Sequence, residues 1–158
     1  MRRLRNWAAA LAGLPETPER VAAAYAVGVA LGFSPWLGLH TVLGILVATT
    51  FRLNRLAVLL GVWTNLPWIA APYYAFATWV GMRILGYSQG LRPPVVGLSD
   101  LFSEEFWAWL AGQWRLLIPA AVGSQLVAFF LAAFGYLLAL IAVRRYREVY
   151  GSEWEVSR

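Results

Sequence analysis

Three long stretches without a charged side chain constrain this chain more than any other feature. They run from Val21 to Phe51, from Leu56 to Met82 and from Leu116 to Val143. Uncharged apolar stretches longer than about 18 residues are typical of membrane segments rather than of buried core helices. Only 13% of the residues are charged, against roughly 25% in an average soluble domain. We therefore predict an all-α polytopic membrane protein in which residues 1–158 form a single membrane domain.

The charged residues also restrict the kind of function. All thirteen basic residues are arginine and stand in small groups beside the apolar stretches, without the contiguous basic face of nucleic-acid modules. We therefore expect membrane lipids as partners and no nucleic acid. All eight carboxylates lie outside the three stretches, His40 is the single histidine, and there is no cysteine. Because acid pairs and metal-ligand clusters are missing at membrane depth, we predict no enzyme activity, cofactor or metal.

The first sixteen residues are predicted to form a short helix lying in the membrane interface. Three arginines precede an apolar stretch from Trp7 to Leu14. The order of charge and apolar residues resembles a signal peptide, but this stretch has only eight residues and a long membrane segment follows it. We expect the arginines to face anionic lipid head groups.

Residues 18–55 are predicted to form a re-entrant helical hairpin broken by proline. Thr17 and the proline after it are typical of a helix start, and this helix should run from Pro18 to Gly32. We expect Ser34 to cap a second helix that runs from Pro35 to Phe51.

Length and charge favour the hairpin over a crossing. A straight span needs about 20 residues and two spans with a turn need over 40, whereas this stretch has 31. Two half-helices that enter and leave by one face place Arg20, Arg52 and Arg55 together in the cytoplasm, as the positive-inside rule prefers. The alternative is one long kinked span, which puts Arg52 and Arg55 outside.

The second membrane segment, residues 56–83, is also broken by proline. Asn65-Leu66-Pro67 interrupts it first, and Pro72 follows. Paired apolar segments interrupted in this way indicate the binding site of a transporter. We predict a kinked crossing here, with a second re-entrant turn as the alternative.

The remaining segments complete the predicted topology. Residues 84–115 should be extramembrane or interfacial, with Ser99 capping an aromatic amphipathic helix. Residues 116–143 should form a transmembrane helix, and residues 144–158 a cytoplasmic tail that begins with an arginine cluster. The positive-inside rule then places both termini in the cytoplasm of a multi-pass protein of the inner (plasma) membrane.

Helix starts inside the bilayer are the candidate binding sites. The first backbone N–H groups of a helix lack partners and the helix dipole is positive there, so such a start attracts anions. Two facing starts would hold a phosphate or carboxylate, and arginines at the cytoplasmic surface would hold a lipid phosphate. The candidate substrate-binding residues are Ser34, His40, Thr41, Arg52, Asn54, Asn65 and Gln125.

Most of these candidates also have a structural interpretation. Ser34 and Asn65 can satisfy backbone groups at the proline breaks, and His40 can bond a neighbouring helix. Arg52 can orient the chain and snorkel toward water, while Gln125 can form a hydrogen bond between helices.

A stripe of small residues bears on assembly. Ala24, Gly28 and Gly32 recur at four-residue spacing, which is typical of a closely packed helix face. The stripe can pack within the chain or against a second copy. Because three membrane elements enclose only a small cavity, we expect a homo-oligomer.

The segment from Pro18 to Gly86 combines glycines, prolines and polar residues in a distinctive order, namely Gly28, Gly32, Pro35, Gly38, His40, Thr41, Arg52, Asn54, Asn65, Pro67, Pro72 and Tyr73. On these residues the segment resembles the bacterial membrane family catalogued as domain of unknown function 2062. This sequence departs from the family pattern where Leu66 separates Asn65 from Pro67. The resemblance implies no defined activity; some members look fused to glycosyltransferase-like domains, which implies a link to envelope polysaccharide or lipid-carrier metabolism.

Two functional hypotheses follow. In the first, the broken helices line a cavity that binds or translocates an anionic solute such as a lipid phosphate or a small anion. In the second, the protein is a membrane scaffold that does not transport and anchors an envelope-biosynthesis enzyme.

Overall fold

The computed structural model describes residues 7, 9–35, 38–87, 104 and 114–155, and every regular element within them is helical. The predicted all-α class is thereby confirmed for the described residues. The main helices are α1 (Pro18–Gly32), α2 (His40–Thr50), α3 (Arg55–Val62), α4 (Pro67–Ile84) and α5 (Trp114–Glu155). The chain divides into two compact units. The first unit contains Met1–Leu66 and Ala128–Arg158, and the second contains Pro67–Val127.

One helix in the described part of the chain is long and apolar enough to cross a membrane. Its candidate span, Leu117–Val149, has 33 residues, which is about 50 Å of helix against a hydrocarbon core of about 30 Å. Helix α5 as a whole contains residues 116–143, which were predicted to form a transmembrane helix. The helical backbone then continues to Glu155, through most of the residues expected to form a tail.

The start and end of α1 agree with the sequence prediction. Thr17 is the N-cap and its side chain accepts a hydrogen bond from the Arg20 backbone N–H, with Pro18 as the first helical residue. The helix ends at Gly32 as expected. Local chemistry is sufficient to predict the start of α1, because a hydroxyl N-cap followed by proline at the first helical position favours a helix start.

The predicted start of the second helix is wrong. Helix α2 begins at His40, with Leu39 as its N-cap, and not at Pro35. Ser34 does not cap it: the Ser34 hydroxyl donates a hydrogen bond back to the carbonyl of Leu31 at 2.8 Å. Gly38 has a φ of 83°, a left-handed conformation that suits glycine and interrupts helical geometry just before His40.

Helices α1 and α3 run in the same direction and pack backbone to backbone. A Cβ atom added to Gly28 would lie 2.0 Å from the Val58 carbonyl oxygen, and one added to Gly32 would lie 2.5 Å from that of Val62. Later residues of α1 therefore face later residues of α3. Because α2 connects the end of α1 to the start of α3, it must bring the chain back between them.

The last part of α5 packs against α1 in the opposite direction. An added Cβ at Gly135 would contact Tyr25 and Val29, whereas Arg144 contacts Glu19. The N-terminal segment packs on the same helix: the Trp7 and Tyr25 rings meet edge to face at 5.2 Å. Residues 9–12 are helical and Leu11 is fully buried, so this part of the predicted interfacial helix has protein contacts.

The second unit contains an equally close helix pair. Added Cβ atoms at Gly81 and Gly123 would lie 1.9 Å from the Pro119 carbonyl oxygen and 1.8 Å from the Ala77 carbonyl oxygen. The Tyr73 hydroxyl donates a hydrogen bond to the Ser124 carbonyl at 2.9 Å. Helix α4 and the first part of α5 are therefore antiparallel and in backbone contact.

The apolar stretch of residues 56–83 contains two helices. Helix α3 ends at Val62 and α4 begins at Pro67, so Asn65 lies in the break. Pro72 lies inside α4. Residues 88–103 and 105–113, where the amphipathic helix starting at Ser99 was predicted, lie outside the described residues.

Candidate functional site

The start of α1 and the end of α5 form an arginine-rich end of the first unit, which we call the basic end. It comprises Arg20, Arg144, Arg145 and Arg147. Arg20 and Arg145 are exposed, and their side chains have no hydrogen bond or ion pair with the described residues. These two guanidinium groups are therefore available to an external anion.

Arg144 forms an ion pair within the chain. Its Nη2 atom lies 2.6 Å from Glu19 Oε1, and both side chains are about half exposed. The hydrogen bond from Arg144 holds the pKa of the Glu19 carboxyl below its ordinary value. Such an exposed pair contributes little stability, but it shows that the end of α5 lies beside the start of α1.

Arg147 joins α5 to the segment before α1. Its Nε donates to the carbonyl of Ala12 at 3.1 Å, and its Nη2 donates to those of Leu14 and Glu16 at 2.7 and 2.8 Å. The sequence prediction assigned the arginine cluster to orientation alone and missed this contact. No local signal reveals it, because the partners are more than 130 positions away.

Arg52 and Asn54 build the turn between α2 and α3. The Leu53 N–H donates to the Ala48 carbonyl and the Arg52 N–H to that of Thr49, which is the Schellman pattern of a helix C-terminus. Arg52 has a φ of 52°. Asn54 Oδ1 accepts hydrogen bonds from the N–H groups of Leu56 and Ala57. The Asn54 side chain is therefore occupied as the N-cap of α3, while the exposed Arg52 side chain is not part of the turn's bonding.

Ser34 and Asn65 both satisfy carbonyl groups at the end of α1. Ser34, which is 3% exposed, bonds Leu31, and the Asn65 side-chain amide donates to Gly32 at 2.7 Å. The Asn65 Oδ1 atom is buried without a hydrogen bond among the described residues. The structure thus brings these two predicted site residues to one helix end. There they bond backbone carbonyls, which was the structural interpretation offered for them as an alternative to ligand binding.

A second bond ties the same break to α1. The Thr64 hydroxyl donates to the Leu60 carbonyl at 3.0 Å and lies 2.9 Å from the Tyr25 hydroxyl. Because Thr64 has one hydroxyl hydrogen, Tyr25 must be the donor to Thr64. Neither residue was a sequence candidate, and together with Asn65 they fix the α3–α4 break against α1.

His40 and Thr41 occupy the first two positions of α2. The N-cap residue, Leu39, makes no side-chain capping bond, and His40 and Thr41 are half-buried. The sequence predicted that a helix start in this region attracts anions. The structure has such a start, but at His40 rather than at Pro35. Gln125 is exposed on α5 and belongs to the second unit, whereas the other six candidates belong to the first.

The small-residue stripe is used within the chain. Ala24 and Gly28 are buried, and Gly28 and Gly32 contact the backbone of α3. Close packing of α1 is therefore explained without a second copy.

The family model described as "Uncharacterized protein conserved in bacteria (DUF2062)" matches residues 1–150. The chain belongs to the bacterial DUF2062 family. The DUF2062 match extends beyond the segment from Pro18 to Gly86 and includes the N-terminal helix and most of α5. No curated protein and no solved structure matches the chain.

The structure gives physical roles to residues that carry the DUF2062 resemblance. Gly28 and Gly32 permit the α1–α3 contact, Gly38 adopts a positive φ, and Tyr73 bonds α5. Asn65 reaches Gly32 although Leu66 separates it from Pro67. The departure from the Asn-Pro step is thus compatible with a defined turn.

Proposed function

We propose that this protein is a multi-pass protein of the bacterial inner membrane that binds an anionic lipid through its phosphate group. The observation that carries the proposal is the basic end, which presents Arg20 and Arg145 beside helices with bare apolar faces. Guanidinium groups at a membrane surface attract lipid phosphates, and each contributes about 1 kcal/mol near an anionic surface.

Exposed apolar side chains support the membrane location. On α5, Phe129 and Phe130 are 70% and 71% exposed. On α2, Val42, Ile45 and Leu46 are exposed as well. Because contiguous apolar surface of this kind is rare on soluble monomers, lipid is its natural neighbour in the proposal.

The return of the chain along α2 supports a re-entrant first segment. Helix α1 has 15 residues, which is about 22 Å and less than the hydrocarbon core of about 30 Å. In the proposal α1 and α2 enter and leave from the cytoplasmic side, residues 56–83 cross, and α5 returns. Both termini, Arg52 and Arg55 are then cytoplasmic, as the positive-inside rule favours.

A binding experiment tests the proposal. The purified full chain in detergent is titrated with phosphatidylglycerol or phosphatidylcholine, and bound lipid is counted by native mass spectrometry. We expect preference for phosphatidylglycerol, reduced at least tenfold by the double variant Arg20→Gln/Arg145→Gln, since each arginine contributes about fivefold. The control Arg83→Gln/Arg115→Gln removes equal charge from the second unit and should retain the preference. Equal binding of the two lipids by the unmodified chain would refute the proposal.

Movement of the bound lipid between leaflets is the further step predicted by the broken helices. Liposomes with fluorescent phosphatidylglycerol would show faster loss of inner-leaflet signal to an external quencher when the protein is present. His40→Ala should slow this movement because His40 lies at the start of α2. Equal rates with and without protein would limit the function to binding.

A further inference from the structure

An apolar groove runs between α1 and α5 within the first unit. It has a volume of about 480 Å³, within the range of roughly 300–1,000 Å³ for ligand pockets. Its lining includes Ala26, Ala30, Phe129, Ala132, Ala133 and Leu137, and its exposed lining surface is entirely apolar. An apolar segment of a ligand fits this lining, whereas a polar group would leave its hydrogen bonds unmade.

The groove results from small side chains beside a close helix contact. Gly135 brings α5 against Tyr25 and Val29. Next to this contact, alanines on both helices leave space, while Phe129 and Leu137 form walls and are 70% and 55% exposed. The described part of the chain leaves this space unfilled.

The groove lies at the depth of lipid acyl chains when the basic end is at the head groups. Phe129 and Leu137 precede Arg144 by 15 and 7 positions, which corresponds to roughly 22 and 10 Å along α5. One leaflet's share of the hydrocarbon core is about 15 Å. Positions 137 and 144 are seven apart and therefore share a helix face. The groove and the Arg144–Glu19 pair thus lie along one line.

We propose that this groove holds an acyl chain of the anionic lipid whose phosphate is bound at the basic end by Arg20, which lies seven positions before the groove residue Val27 and so shares its face of α1. This inference rests on the proposed function and names where the lipid lies. Charge favours a lipid over a second copy as occupant. A parallel second copy would bring another arginine cluster to the basic end, with like-charge repulsion, whereas an anionic head group neutralises the exposed arginines.

A matched pair of substitutions tests the groove. Ala133→Phe fills it, and Leu138→Phe adds the same ring at an exposed position that does not line it. The probe is phosphatidylglycerol with a nitroxide on its acyl chain, in vesicles containing the full chain. Electron paramagnetic resonance measures the motionally restricted fraction. We expect Ala133→Phe to lower the association constant of the labelled lipid, obtained from its motionally restricted fraction, at least fivefold. Leu138→Phe should change this constant less than twofold.

Further readouts separate the groove from the proposed function. Ala30→Leu fills the groove from α1 and should act like Ala133→Phe, with thermal unfolding confirming that both variants fold. Equal effects of Ala133→Phe and Leu138→Phe would overturn the groove inference, even with phosphatidylglycerol preference intact. An altered oligomeric state with unchanged restricted lipid would also overturn it, by assigning the groove to a second copy. Equal binding of phosphatidylglycerol and phosphatidylcholine by the unmodified chain would instead contradict the proposed function.

Discussion

The side-chain amide of Asn65 donates a hydrogen bond to the backbone carbonyl of Gly32 at 2.7 Å. This bond joins the α3–α4 break to the end of α1, across 33 positions of the chain. The amide nitrogen must face Gly32, since a carbonyl oxygen accepts and does not donate. The same contact explains how the break is held without an Asn-Pro step.

Loss of the Asn65 amide should destabilise the fold. We expect Asn65→Ala to lower the free energy of unfolding by about 1–3 kcal/mol, because the Gly32 carbonyl loses its donor. Asn65→Asp should be worse, since its carboxylate would place negative charge against that carbonyl. Thermal unfolding in detergent measures both variants. Equal stability of Asp and Ala variants would contradict this account of the contact.

The contact between α1 and α3 predicts a large difference between two glycines. Gly28→Ala would place Cβ 2.0 Å from the Val58 carbonyl oxygen, so the helices must separate and we expect a loss of at least about 2 kcal/mol. Gly135→Ala meets side-chain atoms no closer than 3.4 Å. It should be neutral or stabilising, because alanine favours helix by up to about 1 kcal/mol. Thermal unfolding of the two variants would refute the packing if Gly28→Ala were the more stable.

These glycines show what the sequence can and cannot establish. Four-residue spacing predicted a closely packed face of α1, but not its partner, because spacing describes one helix and says nothing of its neighbour. Caps and breaks at Thr17 and Pro67 were predictable because their causes are local. The start of α2 was not, since Ser34-Pro35 resembles a cap locally while Gly38 adopts a positive φ that sequence does not report.

The candidate site was predictable only in part, because the sequence reveals local chemistry but not the partners that tertiary packing supplies. Sequence identified Ser34 and Asn65 as polar groups at helix ends, and each makes a hydrogen bond there. Asn54 was predicted only as a candidate for lipid phosphate, and its role as the N-cap of α3 was not predicted. Whether such a group serves the fold or a ligand depends on the carbonyl or N–H that the tertiary structure brings to it. The arginine contact of Arg147 depends entirely on that distant packing.

Arg52 offers a test that separates backbone from side chain. Its φ of 52° disfavours a side chain by roughly 1–2 kcal/mol, so Arg52→Gly should raise the free energy of unfolding by about 1 kcal/mol. Arg52→Ala keeps the strain and should leave stability unchanged. If the guanidinium binds lipid phosphate, both variants should lower phosphatidylglycerol affinity equally. A destabilised Arg52→Gly would contradict the strained turn.

Arg147 predicts a difference between two basic residues. Arg147→Lys keeps the charge but loses the planar set of donors that reaches three carbonyls. We expect a loss of about 2 kcal/mol, since bonds to charged groups contribute roughly 1.5–3 kcal/mol each. Arg145→Lys, at an exposed position, is the control and should leave thermal unfolding unchanged. Equal melting temperatures for both variants would show that the clamp on residues 12–16 contributes nothing.

The side of the membrane reached by Arg55 tests the account most directly. The chain has no cysteine, so single variants Arg55→Cys, Arg145→Cys and Tyr87→Cys can each be labelled in intact bacteria with a maleimide that does not cross the inner membrane. We expect labelling of Tyr87→Cys alone, with Arg55→Cys and Arg145→Cys reacting only after the membrane is permeabilised. Labelling of Arg55→Cys in intact cells would mean that the first segment crosses the bilayer. That result would contradict the re-entrant hairpin and the placement of Arg20, Arg55 and Arg145 on the cytoplasmic side.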